Sequence, residues 1–118
     1  MNDLQLGAIE SRFADIIWDR EKITAAELAR EGFALLGWKK TTCYTVLKRL
    51  CAKGLFKTED GMVTVLIPRD EFYAAQSRRF VDESFEGSLP AFIAAFTNGR
   101  PLSKEEADYL RALIEEKR

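Results

Sequence analysis

The stretch from Trp38 to Gly54, "WKKTTCYTVLKRLCAKG", holds five basic residues, no acidic residue and an apolar stripe. The apolar residues recur at the three- and four-residue spacing that places side chains on one face of a helix: Cys43, Val46, Leu47 and Leu50. Gly54 followed by Leu55 is typical of a helix C-terminus. The stretch therefore predicts a helix, about residues 41 to 53, with one face in a core and a polar, basic face outside.

Two further helices are predicted before this one. The first, from about Leu6 to Trp18, has apolar residues on one face, namely Ile9, Phe13, Ile16 and Ile17. The second begins at a capping box formed by Thr24 and Glu27, and Gly37 ends it after Leu36. Only a short turn then separates the second helix from the third.

A β-hairpin is predicted after the third helix. In "LFKTEDGMVTVLIP", residues 55 to 68, two β-prone runs flank Asp60-Gly61, which is a strong hairpin signal. The order of helix, helix, helix and hairpin is that of a winged helix-turn-helix. We therefore predict a mainly α protein, with a winged-helix DNA-binding domain at residues 1–69 and a small helical domain at residues 70–118.

The second half is predicted to contain three helices. They run from Asp70 to about Phe85, from a cap at Ser88, and from a capping box formed by Ser103 and Glu106. These helices carry more apolar side chains than three short helices can bury among themselves. We therefore expect a second copy of the chain to cover them. The predicted dimerisation residues are Phe80, Phe85, Phe92, Phe96, Leu110, Leu113 and Ile114.

Composition excludes several classes of protein. The net charge is −1, but residues 1 to 69 carry +2 and residues 70 to 118 carry −3. With no histidine in the chain, the commonest catalytic base and metal ligand is missing, and we expect no enzyme, no metal and no cofactor. Cys43 and Cys51, both in one predicted helix, are expected to be reduced thiols. No apolar run is long enough to span a bilayer, which favours a cytoplasmic protein.

The outer face of the third helix suits duplex DNA. Hydroxyls and threonine methyls can contact base edges in the major groove, and basic side chains can bind phosphates or guanine. An ordinary solvated surface, rich in good helix formers, is the alternative interpretation of the same face. The candidate DNA-binding residues are Lys39, Lys40, Thr41, Thr42, Tyr44, Thr45, Lys48, Arg49 and Lys57.

The chain resembles the BlaI/MecI/CopY family of penicillinase-type repressors. The resemblance rests on "DIIW" (15–18), "TAAEL" (24–28), "TVLKRLCAKG" (45–54), "FEGSLPAFIAAF" (85–96) and "PLSKEEADYLRALIEEK" (101–117), and it extends over nearly the whole chain from Leu6. It implies a homodimeric repressor in which an N-terminal winged helix binds an inverted-repeat operator and a helical C-terminal domain dimerises.

The resemblance also implies roles for single residues. Thr42 and Thr45 match the threonines that face bases, and Lys48 and Arg49 match a basic pair. The chain differs from the family at Lys39 to Thr41 and in a wing that lacks basic and aromatic residues after Gly61, and Ala95-Phe96 stands where the penicillinase branch is cleaved at Asn-Phe. Because the wing lacks these basic and aromatic residues, a second hypothesis is a winged helix that binds protein without sequence-specific DNA binding.

Overall fold

The computed structural model describes residues 6–118, which divide between Ser77 and Arg78 into two compact units. The first unit contains three helices, α1 (Ala8–Arg20), α2 (Ala25–Leu36) and α3 (Lys40–Ala52). At the start of α2 the Thr24 hydroxyl accepts from the Glu27 amide, and the Glu27 carboxylate accepts from the Thr24 amide. Gly37, with φ of 72°, ends α2 in the left-handed region. The predicted capping box and helix stop are both confirmed.

A three-stranded antiparallel sheet completes the first unit. Its strands are β1 (Lys22–Thr24), β2 (Phe56–Glu59) and β3 (Met62–Val65), in the order β1-β3-β2. Asp60 and Gly61 have φ of 53° and 76°, and two positive φ values suit a two-residue turn whose twist matches the strands. The predicted hairpin is confirmed, whereas β1 was not predicted. It pairs with β3 through Ile23 and Val63 at the centre of the register.

The core of the first unit lies between the three helices and the sheet. The predicted apolar stripe of α3 is buried as expected, with Leu50 completely inaccessible. In α1 the predicted face is only partly right, because Ile9 is 54% exposed. Ile9 is in the first turn of α1. The buried residues include Phe13, Ile16, Ile17, Leu28, Leu47, Phe56 and Val63.

Helices α2 and α3 approach each other closely at Gly32. A Cβ placed on this buried glycine would lie 2.6 Å from the Cys43 sulfur and 3.2 Å from Cε1 of Phe13. Both distances are shorter than the separation of about 3.5–4.0 Å at which dispersion attraction is greatest. The absence of a side chain at Gly32 therefore allows α3 to pack against α2 at this separation.

Trp18 fixes the start of α4 (Arg69–Phe85) within the first unit. Its indole Nε1 donates to the Ile67 carbonyl at 2.9 Å, and its ring lies 5.5 Å from that of Phe72, which is buried. Arg69 lies over the same indole at 5.6 Å and pairs with Asp15 and Asp19 of α1 at 3.2 and 2.6 Å. The first turns of α4 thus belong to the core of the first unit, and the division between the units falls inside α4.

The second unit consists of the end of α4 with α5 (Leu89–Thr97) and α6 (Lys104–Lys117). The Ser88 hydroxyl caps α5 by accepting from the Ala91 amide, and Ser103 and Glu106 form the capping box of α6. Both caps are confirmed. None of the side chains in residues 78–118, all of which the structure describes, belongs to the buried set. This unit has no enclosed core of its own.

Candidate nucleic-acid interface

Helix α3 presents an uninterrupted polar face to solvent. Cys43, Val46 and Leu47 point into the core, so the residues between them point outward. The exposed residues are Thr41, Thr42, Tyr44, Thr45, Lys48 and Arg49. The face combines hydroxyls, a phenol and cations without any carboxylate of its own, which is a chemistry suited to base edges and phosphates.

The N-terminus of α3 carries cations, whereas α1, α2, α4 and α6 carry an acidic residue in their first turns. Lys39 is the N-cap residue, Lys40 begins the helix, and the first turn has no acidic residue. A cation at this positive end of the helix dipole is unfavourable by about 0.3–1 kcal/mol, and an anion is favourable by a similar amount. Lys40 Nζ lies 5.9 Å from the ring centroid of Tyr44, which keeps the ring beside this charge. The N-terminal end of α3 is therefore electrostatically suited to a phosphate.

Arg49 is held by a carboxylate that the sequence analysis did not identify. Its Nη1 donates to Glu10 Oε2 of α1 at 2.9 Å, and Lys53 Nζ lies 4.0 Å from Glu10 Oε1. Partial burial of Glu10 opposes its ionisation, but hydrogen bonds from the Gly7 amide and Arg49, together with the charges of Lys53 and Arg49, leave its pKa below the ordinary value. The two residues are 39 positions apart, and no local pattern links them.

The wing places a carboxylate beside its only candidate cation. Lys57 on β2 has its Nζ 3.4 Å from Glu59 Oε1, and the turn that follows begins with exposed Asp60. An exposed ion pair of this kind is weak, about 0–1 kcal/mol, so a phosphate could displace it. The tip of the wing nevertheless carries more acid than base, and α3 provides the larger basic surface.

Four of the predicted dimerisation residues form an aromatic cluster in the second unit. Successive ring centroids of four phenylalanines lie 5.5 to 6.0 Å apart, linking Phe80, Phe85, Phe92 and Phe96. Phe80 and Phe96 remain about half exposed, Leu110 and Leu113 are half-buried, and Ile114 is 58% exposed. An apolar groove runs between α5 and α6, lined by residues that include Ile93, Phe96, Leu102 and Leu110.

The cysteines lie in different surroundings. Cys43 is buried, and this burial raises the pKa of its thiol. Cys51 is partly exposed, with its sulfur 3.4 Å from the Thr58 hydroxyl. Within residues 6–118 no three acidic, cysteine or histidine side chains gather as a metal site would require. Over the same residues, no helix is both long enough and apolar enough to cross a bilayer.

Comparison with known proteins agrees with this architecture. The family model described as "Penicillinase repressor" matches residues 6–116. The chain is 28% identical over 116 residues to the penicillinase repressor of Bacillus licheniformis, covering 95% of this chain and 91% of that protein. It is 22% identical over 117 residues to the methicillin resistance regulatory protein MecI of Staphylococcus aureus strain Mu50, covering 96% and 95%. The chain therefore belongs to the penicillinase repressor family, a family of transcriptional regulators and not of enzymes.

Proposed function

We propose that the chain is a DNA-binding transcriptional repressor that acts as a homodimer on an inverted-repeat operator, with α3 in the major groove. The observation that carries this proposal is the outward face of α3, which presents threonine hydroxyls and cations and no acid. The names of the relatives agree with repression, since they describe a penicillinase repressor and a methicillin resistance regulator.

Within this face the residues divide by chemistry. Thr42 and Thr45 are one turn apart and exposed, so both can face the same groove and contact base edges through hydroxyl and methyl groups. Lys39, Lys40 and Lys48 supply charge for phosphates, and phosphate contacts fix the orientation of a protein on DNA without reading sequence. Sequence preference is therefore assigned to the threonines, and most of the affinity to the lysines.

Dimerisation is proposed for the second unit because it lacks buried side chains. Its aromatic cluster and the groove between α5 and α6 leave a large apolar surface open, and contiguous exposed apolar surface marks an interaction site. A second copy that covers this surface would hold two α3 helices for half-sites about one helical turn apart. When the two winged helices are linked, binding of the second half-site becomes intramolecular, so dimerisation raises the affinity for the operator.

The DNA-binding proposal is tested by selecting bound sequences from a random duplex library and titrating the recovered operator against salt. Lys48→Ala should weaken binding on every sequence and reduce the slope of log K against log salt by about 0.9 for each phosphate that the variant no longer binds. Thr45→Val keeps the threonine methyl and replaces the hydroxyl with a second methyl, so it should shift base preference by about 1–3 kcal/mol at one position. Lys117→Ala, an exposed lysine on α6, is the charge-matched control. Unchanged affinity and preference in both α3 variants would refute the role of α3.

Sedimentation velocity tests the dimer. Leu110→Asp with Leu113→Asp should give a monomer, but these half-buried side chains also pack within their own subunit, so the double variant could unfold the unit. Ile114→Asp changes a side chain that is 58% exposed in one chain, so it should weaken association without unfolding the subunit. A wild-type protein that is monomeric at about 10 μM would refute the homodimer, since association is concentration-dependent.

One observation favours the second hypothesis, a winged helix that binds protein. On α2, Phe33 is 68% exposed and lines a surface groove together with Ala26 and Ala29, an apolar surface that a protein partner could cover. The library selection separates the two functions. A protein that recovers no sequence and is not retained on duplex DNA at low salt is not a repressor of this kind, and the protein-binding hypothesis would then replace the proposal.

A further inference from the structure

We propose that Glu10 on α1 competes with the DNA phosphate for Arg49, and that this internal carboxylate limits the affinity of the repressor for its operator. The inference rests on the proposed function, because it concerns the same face of α3. Glu10 would be a further residue that determines affinity, acting through Arg49 and Lys53 and not by touching DNA.

The geometry places one carboxylate between Arg49 of α3 and Lys53, the C-cap residue of that helix. Glu10 Oε2 accepts from Arg49 Nη1 at 2.9 Å, while Glu10 Oε1 accepts from the Gly7 amide at 3.2 Å and lies 4.0 Å from Lys53 Nζ. Arg49 and Lys53 are four residues apart and so share one side of α3. Both oxygens of Glu10 are engaged, and the carboxylate is held in place by the start of α1.

Arg49 is at the same time accessible to a second anion. Its side chain is 54% exposed, whereas that of Glu10 is only 20% exposed. Arg49 follows Lys48 and is one turn from Thr45, so it lies on the outward face that the proposal assigns to DNA. A guanidinium has five donors, and only Nη1 is engaged by Glu10. A phosphate could therefore reach the remaining donors without any movement of α3.

The Glu10 carboxylate nevertheless lowers the affinity gained when a phosphate binds Arg49. A phosphate bound to Arg49 would lie close to the negative charge of Glu10, and like charges at this range repel. The charge of Arg49 is already balanced inside the protein, so its binding to DNA releases less of the condensed counterion atmosphere. Arg49 therefore contributes less to affinity and to salt dependence than Lys48, for which no ion pair is found within residues 6–118.

Glu10→Gln tests the competition between Glu10 and a DNA phosphate for Arg49 and keeps the cap at the start of α1. Glutamine serves at the third position of a capping box as glutamate does, so its amide oxygen can still accept from the Gly7 amide. The variant removes the charge and replaces Oε2, the acceptor of Arg49 Nη1, with an amide NH2 group, so Arg49 is released. Release of one further counterion into 0.1 M salt multiplies the binding constant by about 8, because log K changes by about 0.9 per phosphate for each tenfold change in salt. We expect tighter operator binding by about fivefold to tenfold per half-site, with a salt slope steeper by about 0.9 per half-site.

Glu27→Gln is the matched control. Glu27 occupies the same capping position on α2 and bonds to Thr24, so the variant removes the same charge from the same unit and leaves Glu10 beside Arg49. It should reproduce less than half of the increase in log K. A second measurement uses Arg49→Ala, in which the gain from Glu10→Gln should fall to less than half its value in the parent.

The outcomes separate the inference from the function on which it rests. Equal or weaker operator binding by Glu10→Gln, or half or more of its gain in log K from Glu27→Gln or in the Arg49→Ala background, would overturn the competition while leaving DNA binding intact. Failure of the parent protein to bind any operator would instead refute the proposed function, and the competition with it. A steeper slope that appears in Glu10→Gln and requires Arg49 supports the inference.

Discussion

Gly32→Ala is expected to destabilise the protein although alanine is the better helix former. Within α2 the replacement gains about 1 kcal/mol of helix propensity. The added methyl would lie 2.6 Å from the Cys43 sulfur and 3.2 Å from the Phe13 ring, and overpacking of this kind costs about 1–3 kcal/mol. The difference is a net decrease of about 0–2 kcal/mol in the free energy of unfolding, and we expect about 1 kcal/mol.

Cys43→Ala identifies the clash as the cause. Alone, it removes a buried sulfur and costs about 1 kcal/mol, close to the value of one buried methylene. Combined with Gly32→Ala, it provides room for the new methyl, so the double variant should be more stable than the sum of the single effects by about 1–2 kcal/mol. Contacting residues show coupling energies of this size. Ala34→Gly, at an exposed position of the same helix, measures the propensity difference without the clash.

Urea unfolding followed by tryptophan fluorescence is the assay. Both tryptophans lie in the first unit, and Trp38 stacks on Phe13 with ring centroids 5.0 Å apart, so the signal reports on the packing in question. The variants are compared at one protein concentration because dimerisation couples to stability. A Gly32→Ala protein about 1 kcal/mol more stable than the parent, or single effects that add, would refute a clash between the new methyl and Cys43.

Three further predictions concern other parts of the chain. Arg69→Ala removes the pairs with Asp15 and Asp19 and the interaction with the Trp18 ring. It should lower the free energy of unfolding, measured in urea, by about 1 kcal/mol. Arg111→Ala, which changes an exposed arginine on α6, should lower it by less. The pKa of Glu10 lies below its ordinary value of 4.5, so its stabilisation is present above that pH and disappears as the pH falls through the lowered pKa; Glu10→Gln should therefore flatten the fall of urea midpoints below about pH 5. Burial raises the pKa of the Cys43 thiol, so mass spectrometry after iodoacetamide treatment of the native protein should find Cys51 modified first and Cys43 only on unfolding, and equal rates would contradict this.

Local signals in the sequence were sufficient for the helix ends and the hairpin. Thr24 with Glu27, and Ser103 with Glu106, are three residues apart, and the hydrogen bonds that they make in the structure are equally local. The Asp60-Gly61 turn likewise depends only on backbone conformations that these two residues tolerate. Such features could be predicted because their energies are decided within one turn of chain.

Features that depend on distant partners were not accessible in the same way. β1 has only Lys22 to Thr24, too short for an alternating pattern, and it exists because β3 supplies hydrogen bonds about 40 residues later. Ile9 continues the apolar spacing of α1 but is 54% exposed, so the spacing alone did not show which apolar residues are buried. The outward residues of α3 could be named from its inner stripe, whereas the pairing of Arg49 with Glu10 needs the packing of α1 against α3.

The connection between the wing and α2 restricts how the wing can change. The Ala25 amide, at the first position of α2, donates to the Gly61 carbonyl in the hairpin turn at 2.8 Å, and Thr24 both pairs with Met62 and caps the helix. Hairpin tips usually tolerate inserted residues because they contact only solvent. Here an insertion would remove the acceptor from the helix start. Relatives that keep this bond should therefore diversify their wings by substitution at constant length, and longer wings should occur only where the bond is absent.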